Sequence, residues 1–446
     1  MTNKELLKKF IPKWILSVYH FKLALLGAFL YGFSGKDKNL KIIGVTGTSG
    51  KSTTTDFITR ILEQAGNKVA SISTIRFKIG EKEWENKYKM TMPGRFVIQR
   101  FLKQAKNAGC KFIVLEVTSE GIRQFRHKFI NFDTAVFTNL TPEHIESHGS
   151  FENYRNAKLK LFRVTKNIHV INADDENSKY FLDIPSIEVY KFGIKTTEQF
   201  HRIVSSTDLK LKTKNIIAED IKTTDGGLLF KIQDAEFKIP LLGAFNIYNA
   251  LAAICVAKVY DIDFEVCKTA LEKVKGIAGR MEVVLKDPFQ VIVDYAHTPE
   301  QLEAVYKTLD SRFRGNDNGG LICVFGSCGG GRDKWKRPML GKIAEKYCKE
   351  IFITNEDPYD ENPLSIMEEI ESGFSQIRNP KSETPNLKYE KILDRREAIK
   401  KAVGLAKPGD TVIITGKGSE PWMCVANSKK IPWDDRQIAT DALNGD

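Results

Sequence analysis

This chain has little from which a disulfide scaffold or a cysteine-built metal site could be made. Its seven cysteines, at 110, 255, 267, 323, 328, 348 and 424, are an odd number, and no two of them form a C-x-x-C pair. That argues against a disulfide framework or zinc ribbon and for a reducing, cytosolic setting in which most of these thiols are small buried apolar groups. Internal repeats, long low-complexity tracts and a recognisable nucleic-acid module are also absent. The basic excess of +12 is spread along the chain instead of forming a block. It therefore favours phosphorylated metabolites or an acidic membrane surface as partners, and no nucleic acid.

What remains is the balance of a soluble globular protein, 42% hydrophobic and 28% charged. At 446 residues the chain exceeds one ordinary core, which implies two or three domains. The stretch "WILSVYHFKLALLGAFLYGF", residues 14 to 33, has about the length of a membrane span. His20 and Lys22 interrupt it, no small-residue cleavage site follows, and Lys4, Lys8, Lys9 and Lys13 precede it. Two readings are open: an interfacial helix with a basic flank touching a membrane, or, preferred, a helix packed on the next domain.

From about Leu40 strands and helices alternate. "KIIGVTG" is an apolar strand ending in glycine, and "STTTDFITRILEQAG" has helical spacing, with Phe57, Ile58, Ile61 and Leu62 on one face and Gly66 placed as a C-terminal cap. "KVASIST", "KFIVLEV", "TAVFTNL" and "NIHVIN" read as strands, and "RFVIQRFLKQAKNAG" as a helix. Such alternation implies a parallel, doubly wound sheet. Residues 187 to 240, with "HRIVSSTDLKLKT" and "GGLLFKIQDAEFKIPL", read as an antiparallel patch, and "NIYNALAAICVAKVY" returns to helix. After Gly279-Arg280 a second series begins with the strands "FQVIVDY", "GLICVFG", "EIFITN" and "DTVIITG"; "RGNDNGG" (314 to 320) reads as a flexible loop. The fold class expected is α/β: a hydrophobic helical region at 1–39, a central nucleotide-binding domain at 40–279 containing a P-loop, and a smaller Rossmann-like domain at 280–446.

The stretch "GVTGTSGKSTTT", 44 to 55, lies between strand and helix, the context a phosphate-binding loop requires. Its glycines fall at 44, 47 and 50, so it departs from the G-x-x-x-x-G-K-[ST] spelling. Backbone N–H groups of Gly47, Thr48, Ser49, Gly50 and Lys51 are candidates to face phosphate oxygens at the start of the helix. Lys51 would neutralise the terminal phosphates, and Ser52 or Thr53 would hold magnesium. A further hard oxygen ligand is expected at the end of a neighbouring strand, and Glu116 closes "FIVLEV". His144, in "FTNLTPEHIESHG", follows another strand and is a second candidate. For it and for His148 the competing reading is a loop-stabilising hydrogen bond.

Taken in order, these stretches resemble the Mur ligase family, ATP-dependent amide-bond-forming enzymes, and within it the tripeptide synthetase (MurE-like) branch. The resemblance runs from about residue 40 to the C-terminus. It is carried by G-x-x-G-T-x-G-K-[ST]-T at the loop, "LEVTSEGI", "FTNLTPEHIESHGSFENYRNAK", "NADDEN", "GAFNIYNALAA", "GRMEVV", "DYAHTPEQLEAV", "GRDKWKRP" and "GKGSE". It implies ATP and Mg2+, with Glu116, His144 and a carbamylated Lys158 as magnesium ligands. Asn246 and Asn249 would lie on the adenine side, and Arg280 and Asp294 on ATP phosphate and ribose. Thr91, Pro93, Ser119, Arg126, Arg332, Glu356, Asp357, Gly416 and Glu420 would face the muramyl-peptide precursor and the amino acid. The chemistry implied is carboxylate activation as an acyl phosphate, then amine attack, in the cytoplasmic stage of cell-wall synthesis, with a hinged C-terminal domain excluding water.

The chain departs from the family pattern in four places. Only about forty residues precede the loop, where the family carries a larger uridine-binding domain. Diaminopimelate-adding members carry D-N-P-R where this chain has "EDPY", Glu356 to Tyr359. A tyrosine cannot neutralise the distal carboxylate, so diaminopimelate is disfavoured. With Glu356, Asp357 and Glu420 adding negative charge, lysine or ornithine fits better. Ser49 stands where asparagine is common, and Glu120 where histidine is usual. The departures keep open a lipid-linked or γ-glutamyl acceptor, and a non-catalytic nucleotide-binding adaptor.

Overall fold

The computed structural model describes residues 12–88, 90–195, 212–224, 226–310, 319–375, 388–427 and 429–444. It divides into two compact units, Leu7–Pro142 with Ser150–Lys275, and Gly276–Asp446 with Glu143–Gly149.

The first unit is built on a sheet whose strands, in chain order, are β1 (Lys41–Thr46), β2 (Val69–Ile72), β3 (Arg76–Ile79), β4 (Lys82–Glu85), β5 (Phe112–Glu116), β6 (Phe132–Phe137), β7 (Ile168–Asn172), β8 (Glu188–Ile194), β9 (Lys212–Thr224), β10 (Gly227–Ile232) and β11 (Ala235–Ile239). Their spatial order is β11-β10-β9-β8-β7-β6-β1-β5-β2-β3-β4. The run from β9 to β2 is parallel, and antiparallel hairpins close both edges. The apolar runs read as strands become the parallel centre because helices cover both faces, so β5 and β6 are buried throughout and β1 and β7 at all but their first residue. The strands leave β1 in opposite directions, β5 on one side and β6 on the other, which makes the ends of these three strands a topological switch point.

The sequence reading needs adjustment in this sheet. Of the expected antiparallel patch, β8 and β9 run parallel with the main sheet, and only the pairings of β10, with β9 and with β11, are antiparallel. The piece at 201–213 lies outside the described residues except for its last two positions, as does most of the loop expected at 314–320. The edge hairpin β3–β4 was not foreseen; its outer strand is exposed along its whole length, so it carries no burial pattern.

Five helices of this unit matter here: α1 (Lys13–Leu30), α2 (Lys51–Gln64), α3 (Arg95–Asn107), α4 (Phe151–Val164) and α5 (Phe245–Val259). Helix α2 buries Phe57, Ile58, Ile61 and Leu62 and ends at Gly66, whose φ of 80° lets its N–H reach back to Glu63 O at 2.8 Å. Helix α4 starts from Ser150, whose hydroxyl accepts from Asn153 N. It contributes Phe162, which packs edge-on to Phe181, itself stacked on Phe137. Each ring so buried is worth about 1.5–3 kcal/mol relative to exposure.

The second unit has a six-stranded sheet: β12 (Glu282–Leu285), β13 (Gln290–Asp294), β14 (Leu321–Phe325), β15 (Glu350–Thr354), β16 (Lys388–Ile392) and β17 (Thr411–Thr415). The order is β12-β13-β17-β14-β15-β16, parallel except for β12. Four of the six are the strands expected from sequence. One cysteine expectation is corrected. Cys323, in β14, is bonded to Cys348, which leads into the neighbouring β15, with Cα atoms 6.1 Å apart. Strand adjacency makes this pair, and a separation of 25 residues gives no hint of it. Cys110, Cys255, Cys267 and Cys424 are buried and take no part in a disulfide.

Candidate nucleotide and ligase site

The loop leaving β1 is held by its neighbours. Thr48 N donates to Asn139 O at 2.9 Å, and the Thr48 hydroxyl bonds Thr141 O and Tyr154 Oη at 3.2 and 3.1 Å. Ser49 N donates to Asn139 Oδ1 at 2.8 Å, while Ser49 O accepts from Thr138 Oγ1 at 2.7 Å. At Gly47 an added Cβ would fall on the Thr138 hydroxyl, and at Gly50, where φ is 76°, on Asn249 Oδ1. Both glycines are thus required by close approach, and the second also by its left-handed backbone at the start of α2.

Beneath this loop the residues gather as the sequence places them. Glu116, at the end of β5, is 2% exposed. Its Oε2 accepts from Ser52 Oγ at 2.9 Å and from Thr74 N at 2.9 Å, with the Thr74 hydroxyl at 3.2 Å. Among the described residues Glu116 makes no ion pair. A buried carboxylate met only by neutral donors suits a cation, because its charge is otherwise uncompensated. Thr74 also bonds Thr91 Oγ1 at 2.8 Å, tying one expected substrate residue to this group. Lys51 Nζ turns back to Thr48 O at 2.7 Å. Lys158, from α4, is buried and donates to Gly47 O at 2.6 Å, with the Tyr154 ring 4.5 Å away. Thr53 is buried one position beyond Ser52.

Asn246 and Asn249 lie one turn apart on α5. Asn249 Nδ2 donates to Asn246 Oδ1 at 3.0 Å, and Asn249 Oδ1 accepts from Thr54 Oγ1 at 3.3 Å, which brings the pair against the loop. Pro93 and Ser119 are buried. Arg126 is also buried and spends its guanidinium on Met92 O and, at 2.8 Å, Gln124 Oε1.

The remaining candidates belong to the second unit. His144 adopts φ 57° and receives Arg332 NH1 on Nδ1 at 3.2 Å, while Glu143 Oε1 bonds His297 Nε2 at 2.9 Å. Asp294, at the end of β13, accepts from Met281 N and Ala296 N, both at 2.7 Å. Burial raises its carboxyl above the usual range, and the nearby Arg280 works against that rise. Arg280 itself lies 4.3 Å from the Tyr295 ring centroid.

Around "EDPY" the acids are partly committed. Lys417 Nζ bonds Asp357 Oδ2 at 2.9 Å and Glu420 Oε2 at 2.6 Å, and Glu420 Oε1 accepts from Tyr295 Oη at 3.0 Å. Glu356 is buried against Gly416, its Oε2 without a hydrogen-bond partner among the described residues, and burial pushes its carboxyl upward.

Sequence reasoning assigned no role to Thr74, Asn139, Tyr154 or Lys417. Asn139 had a signal, a side-chain amide directly after an apolar strand, and Lys417 sits inside a quoted motif. Tyr154 likewise sits inside a quoted motif, whereas Thr74 had no signal. No group of three or more His, Cys, Asp or Glu side chains poised for a metal occurs among the described residues. Magnesium does not need one, since it keeps waters and phosphate oxygens and takes one or two carboxylates. Ser52 Oγ and the Glu116 carboxylate are hard oxygen donors of that kind, and they fit.

A glycine-rich loop between a central parallel strand and a helix, backed by a buried carboxylate, places the first unit in the P-loop α/β class. A Mur ligase middle-domain model matches residues 45–257, and a Mur ligase glutamate ligase domain model matches 279–418. The chain belongs to the Mur ligase family. It is 38% identical over 428 residues to the UDP-N-acetylmuramoyl-L-alanyl-D-glutamate–2,6-diaminopimelate ligase of Syntrophomonas wolfei, covering 95% of this chain and 82% of that protein. To the UDP-N-acetylmuramyl-tripeptide synthetase of a Roseiflexus strain it is 36% identical, covering 94% and 81%. A solved structure of a diaminopimelate ligase of the first kind superposes with a TM-score of 0.58 at 28% identity, over 92% of this chain and 79% of that one. Folylpolyglutamate synthase of Mycobacterium tuberculosis superposes at 0.67 over 96% of each chain with 15% identity, a likeness of fold alone.

Proposed function

We propose that this chain is an ATP-dependent ligase that joins an amino acid to a UDP-N-acetylmuramyl-peptide carboxylate, in the cytoplasmic stage of peptidoglycan synthesis. The observation that carries the reading is the buried Ser52–Glu116–Thr74 group beneath the Gly47–Lys51 loop, inside the region matched by the Mur ligase middle domain. Residues 40–279 would bind ATP and residues 280–446 the amino acid.

In the reaction, a carboxylate oxygen of the acceptor attacks the γ-phosphorus of ATP and ADP leaves, giving an acyl phosphate. The amine of the amino acid then attacks the acyl carbon, loses a proton, and phosphate departs as the amide forms. Loop N–H groups and the Lys51 ammonium orient and neutralise the terminal phosphates, and Asn246 and Asn249 support the adenine side. Magnesium, when bound by Ser52 and Glu116, supplies charge neutralisation on the phosphate oxygens. His144 and a carbamylated Lys158 enter as further ligands through their sequence motifs alone. Arg280 and Asp294 would serve ATP phosphate and ribose. Thr91, Pro93, Ser119, Arg126 and Arg332 would face the acceptor.

For the amino acid we favour a side chain ending in an amine, although the relatives quoted first and third above are named for diaminopimelate. Glu356 offers a buried carboxylate oxygen with no hydrogen bond among the described residues, and Tyr359 stands where an arginine would meet a distal carboxylate. The test is phosphate release with ATP and magnesium, across UDP-MurNAc-dipeptide and a lipid-linked equivalent, each with lysine, ornithine and diaminopimelate. Turnover on the uridine acceptor with lysine or ornithine is expected. Activity confined to the lipid-linked acceptor refutes the acceptor, preference for diaminopimelate refutes the amino acid, and ATP binding without turnover on any pair refutes the ligase.

A further inference from the structure

Helix α1 is reversed relative to an ordinary surface helix. The side it turns to its own unit is mostly small or polar: Ala24, Gly27 and Ala28 are buried, Ser17 and His20 are half-buried beside them, and Leu16, Leu23 and Phe21, whose ring packs on Phe125 and Phe129, flank this seam. A Cβ at Gly27 would meet Phe96 Cδ1 at 3.6 Å and the Arg95 backbone at 3.7 Å, so the small residues let α1 lie close on α3. At this seam Arg95 NH2 donates to His20 Nδ1 at 2.6 Å. Most of the large apolar side chains are exposed. Phe29 is 69% exposed, Trp14 68%, Leu30 56% and Tyr19 55%, with Ile15, Val18, Leu25 and Leu26 exposed among them. A contiguous apolar face of this kind on a globular protein marks a contact surface.

Charge indicates what the face meets. Helices α1 and α3 together carry Lys13, Lys22, Arg95, Arg100, Lys103 and Lys106 and no Asp or Glu. Lys106 pairs with Asp37, whereas Lys22, Arg100 and Lys103 are exposed. The preceding sequence adds Lys4, Lys8 and Lys9 against a single acid, Glu5. A second copy of the chain would bring this positive surface against itself across a two-fold contact, which like charges oppose. An anionic bilayer meets both features, the apolar face and the basic fringe. No helix among the described residues is long and apolar enough to cross a membrane, which leaves a helix that lies in the interface.

We propose that α1 docks the protein on an anionic lipid surface, with Trp14, Tyr19, Leu26 and Phe29 at the headgroup–acyl boundary and Lys22, Arg100 and Lys103 at lipid phosphates. The test is co-sedimentation of the full chain with phosphatidylglycerol–phosphatidylethanolamine vesicles and with phosphatidylcholine vesicles. Partitioning onto the anionic vesicles is expected to be at least about tenfold stronger, and to fall several-fold as NaCl rises from about 0.1 to about 0.5 M. The triple variant Trp14→Ser, Leu26→Ser, Phe29→Ser removes side chains that point away from α3. It should keep the wild-type melting profile and lose about tenfold or more of the binding. Failure of the wild type to bind, equal binding to both vesicles, or a triple variant that binds as the wild type does overturns the proposal. So does a wild-type dimer that the variant converts to monomer without any vesicle binding, which would assign the face to a second copy.

Discussion

Replacing Gly50 by alanine puts a methyl group where the first unit has no room for one. The residue adopts φ 76°, and its added Cβ would overlap Asn249 Oδ1. A left-handed backbone costs an L-residue about 1–2 kcal/mol. Asn249 is buried and must rotate away, giving up its bonds with Asn246 and Thr54, each worth about 1 kcal/mol. The expected loss is about 3 kcal/mol of stability, read as a lowered urea midpoint with unchanged slope. Calorimetric affinity for a non-hydrolysable ATP analogue should fall with it, because the loop N–H groups and the Asn246–Asn249 pair move together. Asn249→Ala removes the obstacle, so the double variant should cost at least about 1 kcal/mol less than the two single losses added. Strict additivity, or a Gly50→Ala protein with wild-type midpoint and wild-type affinity, refutes the packing argument.

Two other changes test neighbouring groups. Lys158→Ala should lower turnover by about a hundredfold or more and recover part of it with added short carboxylates such as acetate or propionate, if the side chain acts as a carbamate; a fully active variant sinks that role. His127 is buried, and burial, helped by Lys128 and Lys160 nearby, lowers its pKa from 6.5 to about 4. The folded state therefore holds it neutral while the unfolded chain takes up the proton first. Its contribution is intact above pH 6.5 and is lost progressively down to about pH 4, amounting to about 3 kcal/mol. His127→Gln should flatten the fall in melting temperature across that window, and an unchanged pH profile would remove His127 as its source.

The centre of the first unit was legible because its signals are local. "KIIGVTG" is buried on both faces, so its apolarity is continuous, and Glu116 stands out as the acid at the end of another such strand. Thr74 was not legible, because an ordinary threonine between β2 and β3 acquires its partner only when β5 comes to lie beside β2. The β8–β9 pairing was misread for a related reason: alternating residues record which face is buried, not the direction of the neighbouring strand. The Cys323–Cys348 pair likewise depends on β14 and β15 lying side by side. Helix α1 shows the opposite limit. Its composition reads as something to be buried, yet the structure buries the alanines and glycine and leaves most of the large residues exposed.

The acids around "EDPY" show why charge counted along a chain is not charge presented to a ligand. Read as sequence, Glu356, Asp357 and Glu420 all weigh toward a cationic side chain. In the structure Lys417 sits between Asp357 and Glu420 and bonds both, so much of their charge is spent within the protein. Asp357 is further occupied by Cys424 N at 2.6 Å, and Glu420 by Tyr295. Glu356 differs, since it is buried, has one oxygen without a hydrogen bond among the described residues, and lies in the hollow that Gly416 leaves by having no side chain. Burial favours its protonated form, and an incoming ammonium group would reverse that preference by restoring the charge it pairs with. The selectivity proposed for a basic amino acid therefore rests on Glu356, with Lys417 setting how much of the other two acids a substrate can feel.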